Sequence, residues 1–266
     1  MNKILYLGPE GSYSYEVAKE INKLLPEFVL EAKQSFISIH SDILKNKDYI
    51  GILPFENSIT SSIYENIEFV FDNDINIIGE YFLPVELNLI GQKNSDIKNI
   101  KNIYSHPKAL KQCSEFVKNF NTIETSSTSE AQLKILELNN RNFAIGSKPI
   151  NKNLEIKKGN IGNFSNNKTR FIIVSKTKFS LPNSKNNKIS FLCKLKHKKG
   201  SLSTFLKVIS NNNINMTKIE SKPIPNSEFE YIFLIEGVKE NGVFNTSEIK
   251  ELLNQNTLEN KVLGVY

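Results

Sequence analysis

Thr177-Lys178-Phe179-Ser180-Leu181-Pro182-Asn183-Ser184-Lys185-Asn186-Asn187-Lys188 is the stretch that divides the chain. It is polar and turn-rich and has no apolar period, which marks a connection rather than an element. Upstream, strand-like runs at 3–7, 28–33, 49–53, 75–79, 84–90, 101–104, 121–125, 142–146 and 169–175 alternate with helical patterns. The helical patterns lie at 36–46, 59–71, 107–119 and 129–139, with one more on Val17, Ala18, Ile21, Leu24 and Leu25. Such alternation predicts an α/β architecture. Downstream the pattern is a strand (189–197), a helix (201–211), strands (214–222 and 229–237), a helix (246–254) and a strand (260–265). This βαββαβ order describes a small ferredoxin-like module. The expected organisation is therefore a domain over 1–178, a linker over 179–187 and a second domain over 188–266.

The 266 residues, 39% hydrophobic and 23% charged, suit two folded domains and exclude global disorder. Apolar runs such as Phe171-Ile172-Ile173-Val174 are too short to span a bilayer core of about 30 Å, so no membrane helix is expected. The first residues, Met1 to Pro9, break after one strand's length and lack a secretory cleavage pattern, which makes cytoplasmic residence the expectation. Cys113 and Cys193 fall in different expected domains, and His40, His106 and His197 are scattered, so neither a disulfide framework nor a metal site is expected. The net charge of +6 comes from lysines spread through Asn-rich loops, a solvated surface rather than a nucleic-acid face. Only Arg141 and Arg170 are arginines.

Three motifs can carry chemistry. Gly8-Pro9-Glu10-Gly11-Ser12 joins a strand to a helix start, where free backbone N–H groups can hold an anion; a plain tight connection would use the same glycines. Leu53-Pro54-Phe55-Glu56-Asn57-Ser58 ends a strand in polar residues at a sheet edge, where Asn57 and Ser58 can serve as ligand groups or as helix caps. Thr169-Arg170-Phe171 opens a strand with a guanidinium, whose fork can bind a carboxylate ligand or make a structural ion pair. Ser105-His106-Pro107 and Ser127-Thr128-Ser129-Glu130 read as helix starts, and His106 as helix entry rather than part of a Ser-His triad.

Taken in order, these pieces resemble the prephenate dehydratase family. The matching stretches are Leu7 to Ser14, Pro54 to Ser58, Ser105 to Cys113, Ser127 to Ala131 and Thr169 to Phe171. The tail resembles the family's ACT regulatory domain through Lys199-Gly200-Ser201-Leu202 and Asn215 to Pro223. The resemblance implies a two-lobed, periplasmic-binding-protein-like catalytic domain with crossings near Glu80 and near Thr169, and a site between the lobes. It implies Thr169, Glu56, Asn57 and Gln112 as catalytic residues and Arg170 and Ser105 beside the substrate. Ser58, Gly11, Ser12 and Phe171, from the same motifs, are expected to bind substrate too. The family usually has Gln where this chain has Lys108, Gly at Ser61, Ala at Ser129 and Arg at Lys222.

The implied reaction turns prephenate into phenylpyruvate with loss of carbon dioxide and water, without metal or cofactor. A donor aimed at the leaving hydroxyl strengthens as charge develops there, which fits Thr169; a Glu56 protonated by burial is the other candidate proton source. Arg170 is assigned to the pyruvyl carboxylate, because tight pairing of the ring carboxylate would oppose decarboxylation. Arogenate dehydration and a non-catalytic anion-binding role are the alternatives. L-phenylalanine is the implied effector, held between modules of a homodimer or homotetramer by Gly200, Ser201, Leu202, Glu220, Ser221, Lys222 and Pro223.

Overall fold

The computed structural model describes residues 1–224 and 230–266, so residue 229 of the expected strand lies outside the described residues. The chain begins with β1 (Lys3–Leu7), α1 (Tyr13–Leu24), β2 (Val29–Lys33), α2 (Phe36–Lys45), β3 (Tyr49–Asn57), β4 (Ser61–Ser62), α3 (Tyr64–Asp72) and β5 (Asn76–Pro84). There follow β6 (Asn88–Gln92), β7 (Asn102–Ser105), α4 (Pro107–Gln112), α5 (Ser114–Val117), β8 (Asn121–Glu124), α6 (Thr128–Leu136), β9 (Asn142–Gly146) and β10 (Leu154–Lys158). After β11 (Lys168–Ser175) come β12 (Lys188–Lys194), α7 (Ser201–Asn211), β13 (Asn215–Pro223), β14 (Tyr231–Val238), α8 (Thr246–Asn256) and β15 (Glu259–Val265). None of these helices is long and apolar enough to cross a membrane.

The first lobe is a sheet ordered β2-β1-β3-β11-β5, with β4 beside β3. The second is ordered β10-β6-β9-β7-β8. In each lobe three neighbouring strands run parallel, β2-β1-β3 and β9-β7-β8, and the strands on one side of them pair antiparallel. The chain leaves the first lobe at 85–87 and returns just before Lys168. Glu80, expected at the outward crossing, instead lies within β5 opposite Ile172. The two passages are tied together, because the Val85 N–H donates to Asn167 O (2.8 Å).

Local chemistry accounts for the departures from the periodicity. The helix expected from 59 starts only at Tyr64, because Asn57 Oδ1 accepts the N–H groups of Ile59 and Thr60 (both 3.0 Å) and holds them in a turn. The helix expected over 107–119 breaks at Cys113 into α4 and α5. The edge strand β10 carries no expectation at all: Leu154-Glu155-Ile156-Lys157-Lys158 has too few apolar residues to register.

The four C-terminal strands form an antiparallel sheet ordered β13-β14-β12-β15. One face buries Phe191, Cys193 and Ile235 against Phe205 and Ile209 of α7 and Ile249 and Leu253 of α8. Among the described residues the other face has no helix of its own. Its Leu192, Leu234 and Leu263 join Phe55, Ile67, Val70 and Ile77 of the first lobe in one core. The connection from 177 is folded down rather than free: Thr177 Oγ1 donates to Lys47 O (2.9 Å), and Leu181 is buried with Ile78 and Ile173.

At this joint β15 lies so close to β5 that a Cβ at Gly264 would be built into the carbonyl oxygen of Ile77. Backbone cannot yield as a side-chain tip can. Gly264→Ala should therefore lower stability by about 1–3 kcal/mol, whereas Gly159→Ala, which meets only Asn88 Oδ1 at 3.7 Å, should change it little. Paired thermal or urea melts of the two variants read the difference.

Candidate active site

Between the lobes lies a cleft of about 320 Å³, within the scale of small-molecule sites. Its first-lobe wall comes from the β1–α1 loop (Gly8, Ser12, Tyr13, Ser14), from Pro54, Asn57, Thr60 and Ile63, and from Thr169 and Phe171 of β11. Its second-lobe wall comes from His106, Lys108, Ala109 and Gln112 of α4 and from Ser126 to Ser129 at the start of α6.

Two well-formed helix starts face each other here. Ser12 caps α1, its Oγ accepting the Tyr15 N–H (3.2 Å) and donating to Leu7 O (2.8 Å). Ser127 caps α6 and accepts the Glu130 N–H (3.0 Å), while the Glu130 carboxylate reaches back to the Ser126 N–H (2.7 Å) rather than to the cap residue itself. Both ends direct positive dipole toward the cleft, a favourable environment for anions. Lys108 adds a full charge, and among the described lining residues it is the one side chain with a fixed charge. The His106 imidazole is held below its usual pKa by burial and then by Lys108, and its Nδ1 accepts the Lys108 N–H (3.2 Å).

The polar centre is a chain of amides across the two lobes. Asn57 Nδ2 donates to Thr169 Oγ1 (3.0 Å) and to Asn167 Oδ1 (2.8 Å). Asn167 Nδ2 donates in turn to Gln112 Oε1 (2.9 Å). Because the Thr169 oxygen accepts from Asn57, its own hydrogen is left to donate into the cleft. The structure thus brings together Thr169, Asn57, Gln112, Ser12 and Phe171.

It does not bring the rest of the expected set. β3 and β11 pair antiparallel, Thr169 opposite Asn57 and Arg170 opposite Glu56, and adjacent residues point to opposite faces. Arg170 is 2% exposed and turns its back on the cleft. All five of its N–H groups have acceptors: Nε bonds Glu80 (2.6 Å), Nη1 bonds Glu56 (2.9 Å) and Glu236 (2.5 Å), and Nη2 bonds Glu236 (2.8 Å) and Tyr266 (3.2 Å). It is a structural ion pair and not a carboxylate receptor for the substrate.

Glu56 also lies outside the cleft. A register shift after Arg170 leaves Phe55 as the extra residue on β3, so Phe55 and Glu56 both face away from the cleft. Burial pushes the Glu56 carboxyl up, but hydrogen bonds from Lys218 (2.7 Å) and Arg170 outweigh it and leave the pKa below the usual carboxylate value. It is an ionised partner rather than a protonated acid. Ser105 is fully buried and donates to Ile145 O (2.9 Å), holding β7 to β9. Ser58 staples the return crossing, its Oγ accepting the Lys168 N–H (3.0 Å). Gly11 shapes its loop with φ +83°, where a Cβ would press on Ile150 at 2.8 Å.

In the C-terminal module the same alternation separates the expected effector residues. Ser221 pairs with Phe233 and Pro223 with Tyr231, on the helix-covered face of the sheet. Glu220 and Lys222 point the other way, toward the first lobe: the Glu220 carboxylate accepts from Ser62 (2.6 Å) and Lys218 (3.2 Å), and Lys222 pairs with Asp72 (2.6 Å). These contacts occupy Glu220 and Lys222 away from the Gly200 turn. A separate cavity of about 380 Å³ opens at Leu195 to Lys199, Ser201, Leu202, Tyr231 and Phe233.

The sequence reading missed Tyr13, Thr60, Ile63 and the α6 start as cleft wall. Helix caps in both lobes were the available signal, since two capped starts at the carboxyl ends of strands in two lobes converge on whatever lies between them.

Comparison with known proteins identifies the family and the fold. The family described as prephenate dehydratase matches residues 4–179. The chain is 35% identical to the prephenate dehydratase of Methanocaldococcus jannaschii, over 100% of this chain and 98% of that one. Its fold is shared with the crystal structure of the prephenate dehydratase from Staphylococcus aureus subsp. aureus Mu50 (TM-score 0.83, 24% identity, all of both chains). It is shared as well with a prephenate dehydratase from Arthrobacter aurescens in complex with L-Phe (TM-score 0.83, 22% identity, 99% of this chain and 89% of that one). A family match over residues 4–179 and a relative aligned almost end to end have one meaning: this chain belongs to the prephenate dehydratase family.

Proposed function

We propose that the cleft converts prephenate to phenylpyruvate, and the observation that carries this reading is the Thr169 hydroxyl, held by Asn57 as a donor between two helix starts. Prephenate brings two carboxylates and a ring hydroxyl. Lys108 and the α6 start receive the pyruvyl carboxylate, the role that Arg170 does not fill. The ring carboxylate lies against neutral and apolar wall, so its charge is not stabilised and its loss as carbon dioxide is not opposed. As the C–C bond to that carboxylate breaks, its electrons enter the ring and expel the hydroxyl at the opposite carbon. Thr169 donates to the departing oxygen, an interaction that strengthens as charge develops, worth about 3–4 kcal/mol for one well-aimed donor. The hydroxyl leaves as hydroxide, which takes a proton from solvent to become water, and the ring is aromatic.

Incubating the protein separately with prephenate and with arogenate and identifying the products tests the reading. Phenylpyruvate from prephenate supports it; phenylalanine from arogenate alone would replace it, and turnover of neither would reduce the cleft to anion binding.

The C-terminal βαββαβ module is proposed to be an ACT domain that senses phenylalanine. Support comes from its strand order, from the Gly200-Ser201-Leu202 helix start beside a cavity, and from the L-Phe complex of the Arthrobacter aurescens enzyme. Gly200 has φ +82°, so the chain there turns sharply and offers the first N–H groups of α7 to a carboxylate. Ser221 and Pro223 complete the site from β13, whose outer edge pairs with no strand among the described residues and suits side-by-side pairing with a second copy.

Thr169→Ala should lower kcat by about 10²-fold or more with the fold intact, and Thr169→Ser should retain more activity; steady-state kinetics with a melting curve reads both. Lys108→Gln should raise KM about tenfold while leaving kcat within a small factor, the mark of lost uniform binding. Calorimetry should show phenylalanine binding, and saturating phenylalanine should depress turnover; absence of both would leave the module a purely structural unit.

A further inference from the structure

The Arg170 cluster lies directly behind the catalytic strand pair and is completed from another module. Glu236 on β14 is fully buried, and its two oxygens take Arg170 Nη1 (2.5 Å) and Nη2 (2.8 Å) in the forked geometry that fixes a guanidinium plane. Ser190 donates to the same carboxylate (2.9 Å) and shares a 2.7 Å hydrogen bond with Tyr266, which also accepts from Arg170. Lys188 stands 2.6 Å from Glu80 and 3.9 Å from Glu236. Burial disfavours the Arg170 charge, but the Tyr266 oxygen, as a neutral acceptor, and the Glu236 and Glu80 carboxylates more than offset it and raise its pKa.

We propose that Glu236 is a positioning residue for the cleft, acting through Arg170 on the β3–β11 pair that carries Asn57 and Thr169. The role rests on the dehydratase reading above. Three features support it. Arg170 is the chain neighbour of Thr169, so rotation of its backbone re-aims the hydroxyl. It also holds Glu56, the neighbour of Asn57, so one guanidinium fixes both members of the Asn57–Thr169 hydrogen bond from behind. And the forked contact cannot be partly broken at low cost, because a buried charge left without its partner is strongly unfavourable. A displacement of the C-terminal module is therefore passed to the cleft rather than absorbed at the joint.

The test compares Glu236→Gln, which keeps shape and removes charge, with the intact protein turning over prephenate. Folding is followed by circular dichroism and melting. The expected result is a fall in kcat of about tenfold with KM changed by less than about twofold, since no wall residue is altered. Lys261→Gln, which removes the contact to Asp74 (2.8 Å) at the same joint but away from Arg170, should leave both constants unchanged. A folded Glu236→Gln enzyme with the original kcat overturns the proposal, and so does an equal loss in Lys261→Gln, which would reduce the effect to general loosening. Should Glu236→Gln fail to fold, Tyr266→Phe decides: it removes one neutral acceptor from Arg170, and a fall of about threefold in kcat at constant KM supports the role while an unchanged kcat overturns it. Intact protein inert toward prephenate would instead overturn the dehydratase reading, a result distinct from any difference between variants.

Discussion

A guanidinium sealed from water keeps its charge, so the structure around it has to supply opposite charge from every direction it faces. Arg170 imposes this constraint on three parts of the chain at once: Glu56 from β3, Glu80 from β5 and Glu236 from β14 converge on it, and Lys188 and Lys218 neutralise what those carboxylates leave over. The apolar contact of the C-terminal sheet with the first lobe supplies area but little direction. The forked Arg170–Glu236 contact supplies the direction. Together they explain why a module without a helix on its second face needs none: the first lobe covers it.

The same strand pair that hosts this cluster also lines the cleft, and the pleat keeps the two apart. Thr169 and Phe171 face the cleft and Arg170 faces the joint, while the extra residue at Phe55 turns Glu56 to the joint and lets Asn57 return to the cleft. Two faces of one ribbon thus serve two roles with incompatible needs. The cleft requires neutral donors and a light positive field, and three carboxylates lining it would repel an anionic substrate.

Much of this was legible in the residues. The alternation of strands and helices, the turn-rich stretch after Thr177 and the βαββαβ tail were all readable from periodicity, and the motifs around Asn57 and Thr169 located the polar centre. What failed did so for a physical reason. Arg170 and Glu236 are 66 residues apart and belong to different sheets, so nothing local to Thr169-Arg170-Phe171 distinguishes a guanidinium that awaits a ligand from one already satisfied. Glu56 depended on a register shift that no single strand reveals. Glu220 and Lys222 came with Ser221 and Pro223 as one motif of the resemblance, although alternation along a strand sends neighbours to opposite sides. Ser105 stood beside a helix start in the sequence but is consumed by a backbone carbonyl of the adjacent strand.

The two passages between the lobes are not independent tethers. Val85 and Asn167 are hydrogen-bonded across them, Ser58 and Lys168 exchange two more bonds at the return, and Asn167 reaches both Asn57 in one lobe and Gln112 in the other. Sliding one passage along the other would break these bonds together, whereas flexing the paired ribbon keeps them. The paired passages therefore run through the floor of the cleft beside Thr169, where one set of hydrogen bonds serves both lobes. The amides that hold the Thr169 hydroxyl are thus the same ones that bind the crossing together, so the polar centre of the cleft and the joint between its lobes cannot be disturbed separately.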